Sequence, residues 1–152
     1  MLRLGPNDPA HVMFVGGPRC GKSWGAREYA KRGYPVYCGD PLSKVKDPEP
    51  GTIYLPEGIP FSGDDGASQW VLDNWLTIQG PWVLEGHVMA RVLRRWFCLH
   101  GDSYTRKVPC DRIIVCLEPK TAQTPGQAAM TKAVATVWNQ ISHHFAHITE
   151  YR

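Results

Sequence analysis

Short apolar runs alternate along this chain with longer segments in which apolar residues recur at helical spacing. Five runs predict buried strands: HVMFVGG, YPVYCGD, PWVLEG, DRIIVCLEP and HFAHITEY. Four segments predict helices: KSWGAREYAKRG, DDGASQWVLDNWLTIQG, HVMARVLRRWFCLHG and TPGQAAMTKAVATVWNQIS. Because strands that alternate with helices pair in parallel through right-handed crossovers, the pattern predicts an α/β fold. We expect a parallel sheet of about five strands, sandwiched by helices.

A chain of 152 residues is expected to form one domain, residues 1–152. Its least regular part is the stretch 41–66, where Pro, Gly and Asp are frequent and GTIYLPEG is one extended island. This composition predicts an elaborated loop or a small subdomain between the second strand and the second helix. The candidates to cap that helix are Asp64, Asp65 and Ser68.

Composition is typical of a soluble globular protein. Hydrophobic residues make up 43% of the chain and charged residues 20%, and no apolar run approaches the ~18 residues of a membrane span. The first residues, MLRLGPNDPAH, lack the apolar core of a secretory signal. We therefore expect a cytoplasmic protein without a membrane partner.

Basic residues are concentrated in one region, although the formal net charge is only +3. The region contains Arg91, Arg94, Arg95, Arg106, Lys107 and Arg112. It predicts either a patch for a phosphate-rich substrate or a solvated helix face followed by a loop.

The five cysteines do not have the spacing of a disulfide framework. Cys38 and Cys116 lie in apolar runs and are expected to be buried. Two groups of Cys and His lack the paired spacing of a structural zinc site: Cys98, His100 and Cys110, and His143, His144 and His147.

The stretch VGGPRCGKSWG, residues 15–25, fits the phosphate-binding pattern G-x-x-x-x-G-K-[ST]. It lies between an apolar strand and a helix, where a strand-to-helix turn supplies the converging N–H donors that a triphosphate needs. Lys22 is expected to meet the β- and γ-phosphates, and Ser23 to bind Mg²⁺. The expected nucleotide-binding residues are Gly16, Gly17, Pro18, Arg19, Cys20, Gly21, Lys22, Ser23 and Trp24.

This loop and the helix that follows it, GGPRCGKSWGARE, resemble those of the small P-loop kinases. These include nucleoside and nucleotide kinases, shikimate and gluconate kinases, and polynucleotide kinases. The order of predicted elements is similar over nearly all of the chain, and its size and composition resemble those of a phage-encoded member. The resemblance implies a P-loop NTPase fold, ATP and Mg²⁺ as cofactors, and a phosphoacceptor held by residues 41–66.

Two acidic residues stand at strand ends that carry chemistry in those kinases. At Asp40, after the second strand, the resemblance implies a base that orients or deprotonates the acceptor hydroxyl. The alternative for Asp40 is a turn residue before Pro41. At Glu85, which ends the third strand, the resemblance implies a contact with Mg²⁺ or substrate. The alternative for Glu85 is a cap for the next helix.

Positive charge around the transferring phosphoryl group has two candidate sources. Nucleotide kinases carry arginines in a lid after the fourth strand, but no arginine lies within residues 114–150 of this chain. The polar candidates in that segment are Lys120, Gln127 and Lys132. The other source is the preceding helix, where Arg91, with Arg94 and Arg95, is expected to bind substrate phosphate, because a guanidinium contacts two oxygens at once.

The leading hypothesis is an ATP- and Mg²⁺-dependent phosphotransferase with Lys22, Asp40, Glu85 and Arg91 as catalytic residues. Its acceptor is expected to be a hydroxyl or phosphate on a nucleoside, a nucleotide or DNA, which the sequence does not separate. Two alternatives stay open: an ATP hydrolase coupled to a partner, and a module that binds nucleotide without chemistry. The D-x-x-G and N-K-x-D motifs of GTPases do not occur in the sequence.

Overall fold

The computed structural model describes residues 2–60, 66–100 and 107–152, so Asp64, Asp65 and Arg106 lie outside the described residues. The strands are β1 (His11–Gly16), β2 (Val36–Pro41), β3 (Ile53–Leu55), β4 (Trp82–Gly86), β5 (Arg112–Cys116) and β6 (Thr149–Tyr151). The α-helices are α1 (Lys22–Lys31), α2 (Ala67–Asn74), α3 (Met89–His100) and α4 (Pro125–Ile141). None of these helices is both long and apolar enough to cross a membrane.

The six described strands form one parallel sheet in the order β3-β2-β4-β1-β5-β6. The predicted α/β fold with a parallel sheet is confirmed, and the described sheet has one strand more than the about five expected. The additional strand is β3, which comes from the extended island in residues 41–66 and pairs with β2 beside a register shift. Ile53–Leu55 is too short to show an alternation of apolar and polar residues, so the sequence does not distinguish this strand from an extended loop.

Alternation along the central strands divides the core between the two faces of the sheet. Val12 and Phe14 of β1 belong to the cluster on the α1 face, whereas Met13 and Val15 belong to the cluster that contains α2, α3 and α4. In β4, Val83 lies in the α1 cluster. Glu85, two residues further along β4, therefore faces the same side and emerges beside the start of α1.

The element ends follow the local sequence in part. Helix α4 begins at Pro125 after a capping box between Thr124 and Gln127, in agreement with the predicted start. Helix α2 has Gly66 at its N-cap and no side-chain cap bond, so Ser68 does not cap it. Strand β6 begins later than predicted, because a 3₁₀ helix occupies Ser142–Ile148.

Candidate functional site

The glycine loop, residues 16–23, joins β1 to α1 at the carboxyl edge of the sheet. Gly21 directly precedes the helix with a φ of 91°, in the left-handed region that favours glycine. A β-carbon at Gly17 would lie 1.9 Å from Oγ1 of Thr131 in α4. The loop therefore passes closer to α4 than any side chain at position 17 would allow.

The segment between β5 and α4 holds the glycine loop in place. The backbone N–H of Lys120 donates to the carbonyl of Arg19 at 2.8 Å. Nε2 of Gln123 donates to the carbonyl of Pro18 at 2.6 Å and to Oγ1 of Thr131 at 2.8 Å. Sequence reasoning missed Gln123 and Thr131, because their contact with the loop depends on tertiary packing and not on local spacing.

Two further motif residues pack the glycine loop against the rest of the fold. A β-carbon at Gly16 would lie 2.1 Å from the carbonyl oxygen of Cys116 in β5. Cys20 is buried, with its Sγ 3.9 Å from Oγ1 of Thr131.

Cys38 and Cys116 are also buried, as their apolar surroundings predicted.

Lys22 and Glu85 form the buried centre of the site. Nζ of Lys22 donates to the carbonyl of Gly17 at 2.8 Å, and the residue is 8% exposed. Glu85 is 6% exposed, and burial raises its pKa, whereas the Lys22 ammonium and the Ser23 hydroxyl act to lower it. A carboxylate with this desolvation cost gains from a nearby cation. The Glu85 carboxylate and the Ser23 hydroxyl therefore fit Mg²⁺, which takes one or two protein oxygens beside phosphate and water.

Asp40 lies at the end of β2, next to β4 in the sheet. Its Oδ1 lies 3.5 Å from Nδ1 of His87, just after β4. Burial lowers the pKa of His87, against the raising effect of the Asp40 carboxylate. Sequence reasoning missed His87 as a site residue. The available signal was its position, two residues after Glu85 and just past the carboxyl end of a predicted strand.

An inner cavity of about 170 Å³ lies against α1, β2 and residues 45–54. Asp40, Glu85 and Tyr54 are among the residues that line it. Residues 45–54 belong to the segment that was expected to hold an acceptor. The structure therefore brings that segment together with both strand-end carboxylates.

A larger outer cleft, of about 730 Å³, runs along the glycine loop and the first turn of α1. Its described lining includes five basic residues and the indole of Trp24, which is 66% exposed; the basic residues are Arg19, Lys22, Arg27, Lys120 and Arg152. The residues that line both spaces are Lys22, Ser23 and Arg27. The inner cavity and the outer cleft therefore share part of their lining along α1.

The arginines of α3 are not among the described residues that line the inner cavity or the outer cleft. Arg91 lines a third cavity, of about 110 Å³, together with His87 and residues of α4. Arg94 and Arg95 donate hydrogen bonds to glutamine side chains of α4 and α2. Lys120 does line the outer cleft, so the structure brings this candidate, and not Arg94 or Arg95, to the glycine loop.

Protein side chains alone do not outline a metal site in the described ranges. No group of three or more His, Cys, Asp or Glu residues there is arranged to hold a metal ion. Magnesium bound with a nucleotide does not require such a group, because phosphate oxygens and waters complete its shell.

Comparison with models of known protein families and with curated proteins gives no match. The function is therefore inferred from the glycine loop, the two adjoining cavities and the side chains at the strand ends.

Proposed function

We propose that this protein is a cytoplasmic kinase with a P-loop fold. It transfers the γ-phosphoryl group of ATP, bound with Mg²⁺, to an acceptor from the nucleosides, nucleotides or DNA. The observation that carries the proposal is the lining that the inner cavity and the outer cleft share, which consists of Lys22, Ser23 and Arg27. Phosphoryl transfer needs the donor and the acceptor in neighbouring sites with positive charge between them. Most of the rate enhancement then comes from positioning the reactants and from stabilising the charge of the transition state.

The outer cleft suits the donor. Its volume of about 730 Å³ lies within the ~300–1,000 Å³ of typical small-molecule sites. The N-terminus of α1 and the glycine loop direct N–H groups toward phosphate, and Arg19, Lys120 and Arg152 add positive charge. The exposed indole of Trp24 offers a stacking surface to the base.

The inner cavity suits the acceptor. Asp40 accepts the proton of the acceptor hydroxyl, whose oxygen forms a bond to the γ-phosphorus while the bond to the β,γ-bridging oxygen breaks, and ADP leaves. Lys22 exchanges its hydrogen bond to the Gly17 carbonyl for the β- and γ-phosphates. Ser23 and Glu85 would hold Mg²⁺, which when bound would neutralise phosphate charge.

Nucleotide binding tests the proposal directly. Thermal unfolding is measured with and without Mg-ATP for the wild type, Lys22→Ala and the control Lys31→Ala. Lys31 lies on the same helix but is exposed and paired with Glu28 at 3.1 Å. We expect Mg-ATP to stabilise the wild type and Lys31→Ala but not Lys22→Ala. Equal stabilisation of all three proteins contradicts the proposal, and labelled phosphate released only to water indicates a hydrolase instead.

A further inference from the structure

The inner cavity, which the proposed function assigns to the acceptor, is acidic. The charged residues in its described lining are Lys22, Arg27, Asp40, Asp47, Glu49 and Glu85. Glu49 is paired with Arg27 and Glu85 is assigned to Mg²⁺ in the proposed function, so the negative charge that faces a ligand here comes from Asp40 and Asp47. An anionic acceptor would meet like charges in this space, and such juxtaposition disfavours binding.

The two cations already have partners. Arg27 of α1 forms an ion pair with Glu49, which belongs to the segment after β2. Glu49 is itself anchored, because its backbone N–H donates to the Tyr54 hydroxyl at 2.8 Å. Lys22 lies at the boundary with the outer cleft, donates to Gly17 and is committed to the phosphates of ATP in the proposed function. Neither cation is therefore placed to bind a second phosphate.

The remaining lining is small and partly apolar. Val36, Val45 and Pro50 contribute apolar surface, and Tyr54 adds an aromatic ring. The volume of about 170 Å³ lies below the ~300–1,000 Å³ that is common for small-molecule sites. These dimensions fit a single sugar ring, free or as the sugar of a nucleoside, with one of its hydroxyl groups at Asp40.

We propose that the acceptor is an uncharged hydroxyl compound, a sugar or nucleoside hydroxyl, and that phosphate monoesters are poor acceptors. This inference rests on the proposed kinase function and names its substrate class. The hydroxyl oxygen gains the phosphoryl group, its proton passes to Asp40, and the electron pair of the broken bond leaves on ADP. The same hydroxyl chemistry is available from a free nucleoside or from the 5′ end of a DNA strand.

Matched pairs of ligands test the charge requirement. The protein is saturated with Mg²⁺ and a non-hydrolysable ATP analogue, so that the α-, β- and γ-phosphate positions of the outer cleft are filled. It is then titrated calorimetrically with the four deoxynucleosides and ribose, and with the 5′-monophosphate of each. We expect at least one neutral compound to bind at least about tenfold more tightly than its monophosphate, since the cavity repels added negative charge. The proposal is overturned if the two members of every pair bind with equal affinity, or if the monophosphate binds more tightly. It is also overturned if no compound binds.

A charge-neutralising variant tests the cause. Glu49→Gln removes one carboxylate and releases Arg27, so we expect monophosphate affinity to rise at least about tenfold while the affinity of the neutral compound changes little. The matched control, Glu28→Gln, breaks the Glu28–Lys31 pair on the same helix and should change neither affinity. No gain for Glu49→Gln, or an equal gain for the control, overturns the role assigned to the Arg27–Glu49 pair and with it the proposal.

Two further measurements separate failure of the kinase function from failure of the acceptor class, and distinguish a free acceptor from one at the end of a DNA strand. If Mg-ATP does not stabilise the wild type, the kinase function itself fails. If Mg-ATP stabilises it but monophosphates bind as well as neutral compounds, only the acceptor class fails. Labelled ATP supplied with a 5′-hydroxyl oligonucleotide, its 5′-phosphorylated form and free nucleosides then shows whether the hydroxyl belongs to a polymer or to a free molecule. Transfer to the phosphorylated oligonucleotide at the same rate counts against the proposal.

Discussion

Nδ1 of His87 lies 3.5 Å from Oδ1 of Asp40, across the carboxyl ends of two neighbouring strands. The two side chains are 18% and 29% exposed, so the pair lies at the edge of the buried site. Burial lowers the pKa of His87, which disfavours the imidazolium form. The Asp40 carboxylate thus has a neutral polar neighbour, which orients it without holding its charge in a strong ion pair. This arrangement supports Asp40 as a base more than as a simple turn residue.

Asp40→Asn should lower phosphoryl transfer by about 10²–10⁴-fold, the usual contribution of a general base. The amide keeps the size and the polar contacts of the carboxylate but does not accept the proton. Stabilisation by Mg-ATP should be unchanged. Steady-state kinetics and thermal unfolding check both parts, and near-normal turnover of the Asn variant would assign Asp40 to the turn.

His87→Ala should lower kcat by less than Asp40→Asn does, because His87 positions the carboxylate and does not take the proton. KM for ATP should stay close to that of the wild type. His87→Asn retains a polar group near the position of Nδ1 and should recover part of kcat. A loss of thermal stability with unchanged kcat in both variants would show that His87 only packs the site.

Glu85→Gln should raise the stability of the metal- and nucleotide-free protein. Burial raises the pKa of Glu85 above its ordinary value of 4.5, so the folded state holds this proton more tightly than the unfolded state does. Stability is therefore lost as pH rises from about 4.5 through the raised pKa, and the loss is complete above it. Thermal unfolding between pH 5 and pH 8, with a chelator present, should show a Tm advantage of the Gln variant that grows with pH. An advantage that shrinks with pH runs against this account.

Gly17→Ala should destabilise the protein by about 1–3 kcal/mol, the usual cost of overpacking, and abolish stabilisation by Mg-ATP. The added β-carbon would lie 1.9 Å from Oγ1 and 2.7 Å from Cα of Thr131, so shortening the Thr131 side chain does not relieve the clash. Gly80→Ala is the control, because a β-carbon there meets no atom within 4 Å. Denaturant unfolding and nucleotide-dependent thermal shifts measure the two effects, and equal behaviour of the two variants contradicts the tight packing of the glycine loop.

Lys120→Ala should lower turnover more than Arg94→Ala or Arg95→Ala. Lys120 lines the outer cleft beside the glycine loop, whereas the two arginines are bonded to glutamines of neighbouring helices. Positive charge near the transferring group stabilises the loose transition state of phosphoryl transfer. Comparison of kcat among the three variants shows which residues supply this charge. A larger decrease in kcat for either arginine variant would indicate that α3 supplies it.

The sequence by itself determined the features that depend on neighbouring residues. Periodicity predicted the four helices and the buried strands, and Thr124, Pro125 and Gln127 marked the start of α4, because capping and amphipathic patterns act within a few residues. The same local logic placed the glycine loop between β1 and α1 and put Asp40 and Glu85 at strand ends. It did not find β3, whose three residues become a strand only by pairing with β2.

Tertiary structure decided which of these residues meet. The sheet order puts β4 between β1 and β2, and this brings His87 to Asp40 and Glu85 to Lys22. The packing of α4 on the glycine loop and the return of residues 45–54 across α1 then create the outer cleft and the inner cavity. Such contacts join residues that are distant along the chain. They depend on strand order and on the close fit of side chains, which leave no signal in local spacing.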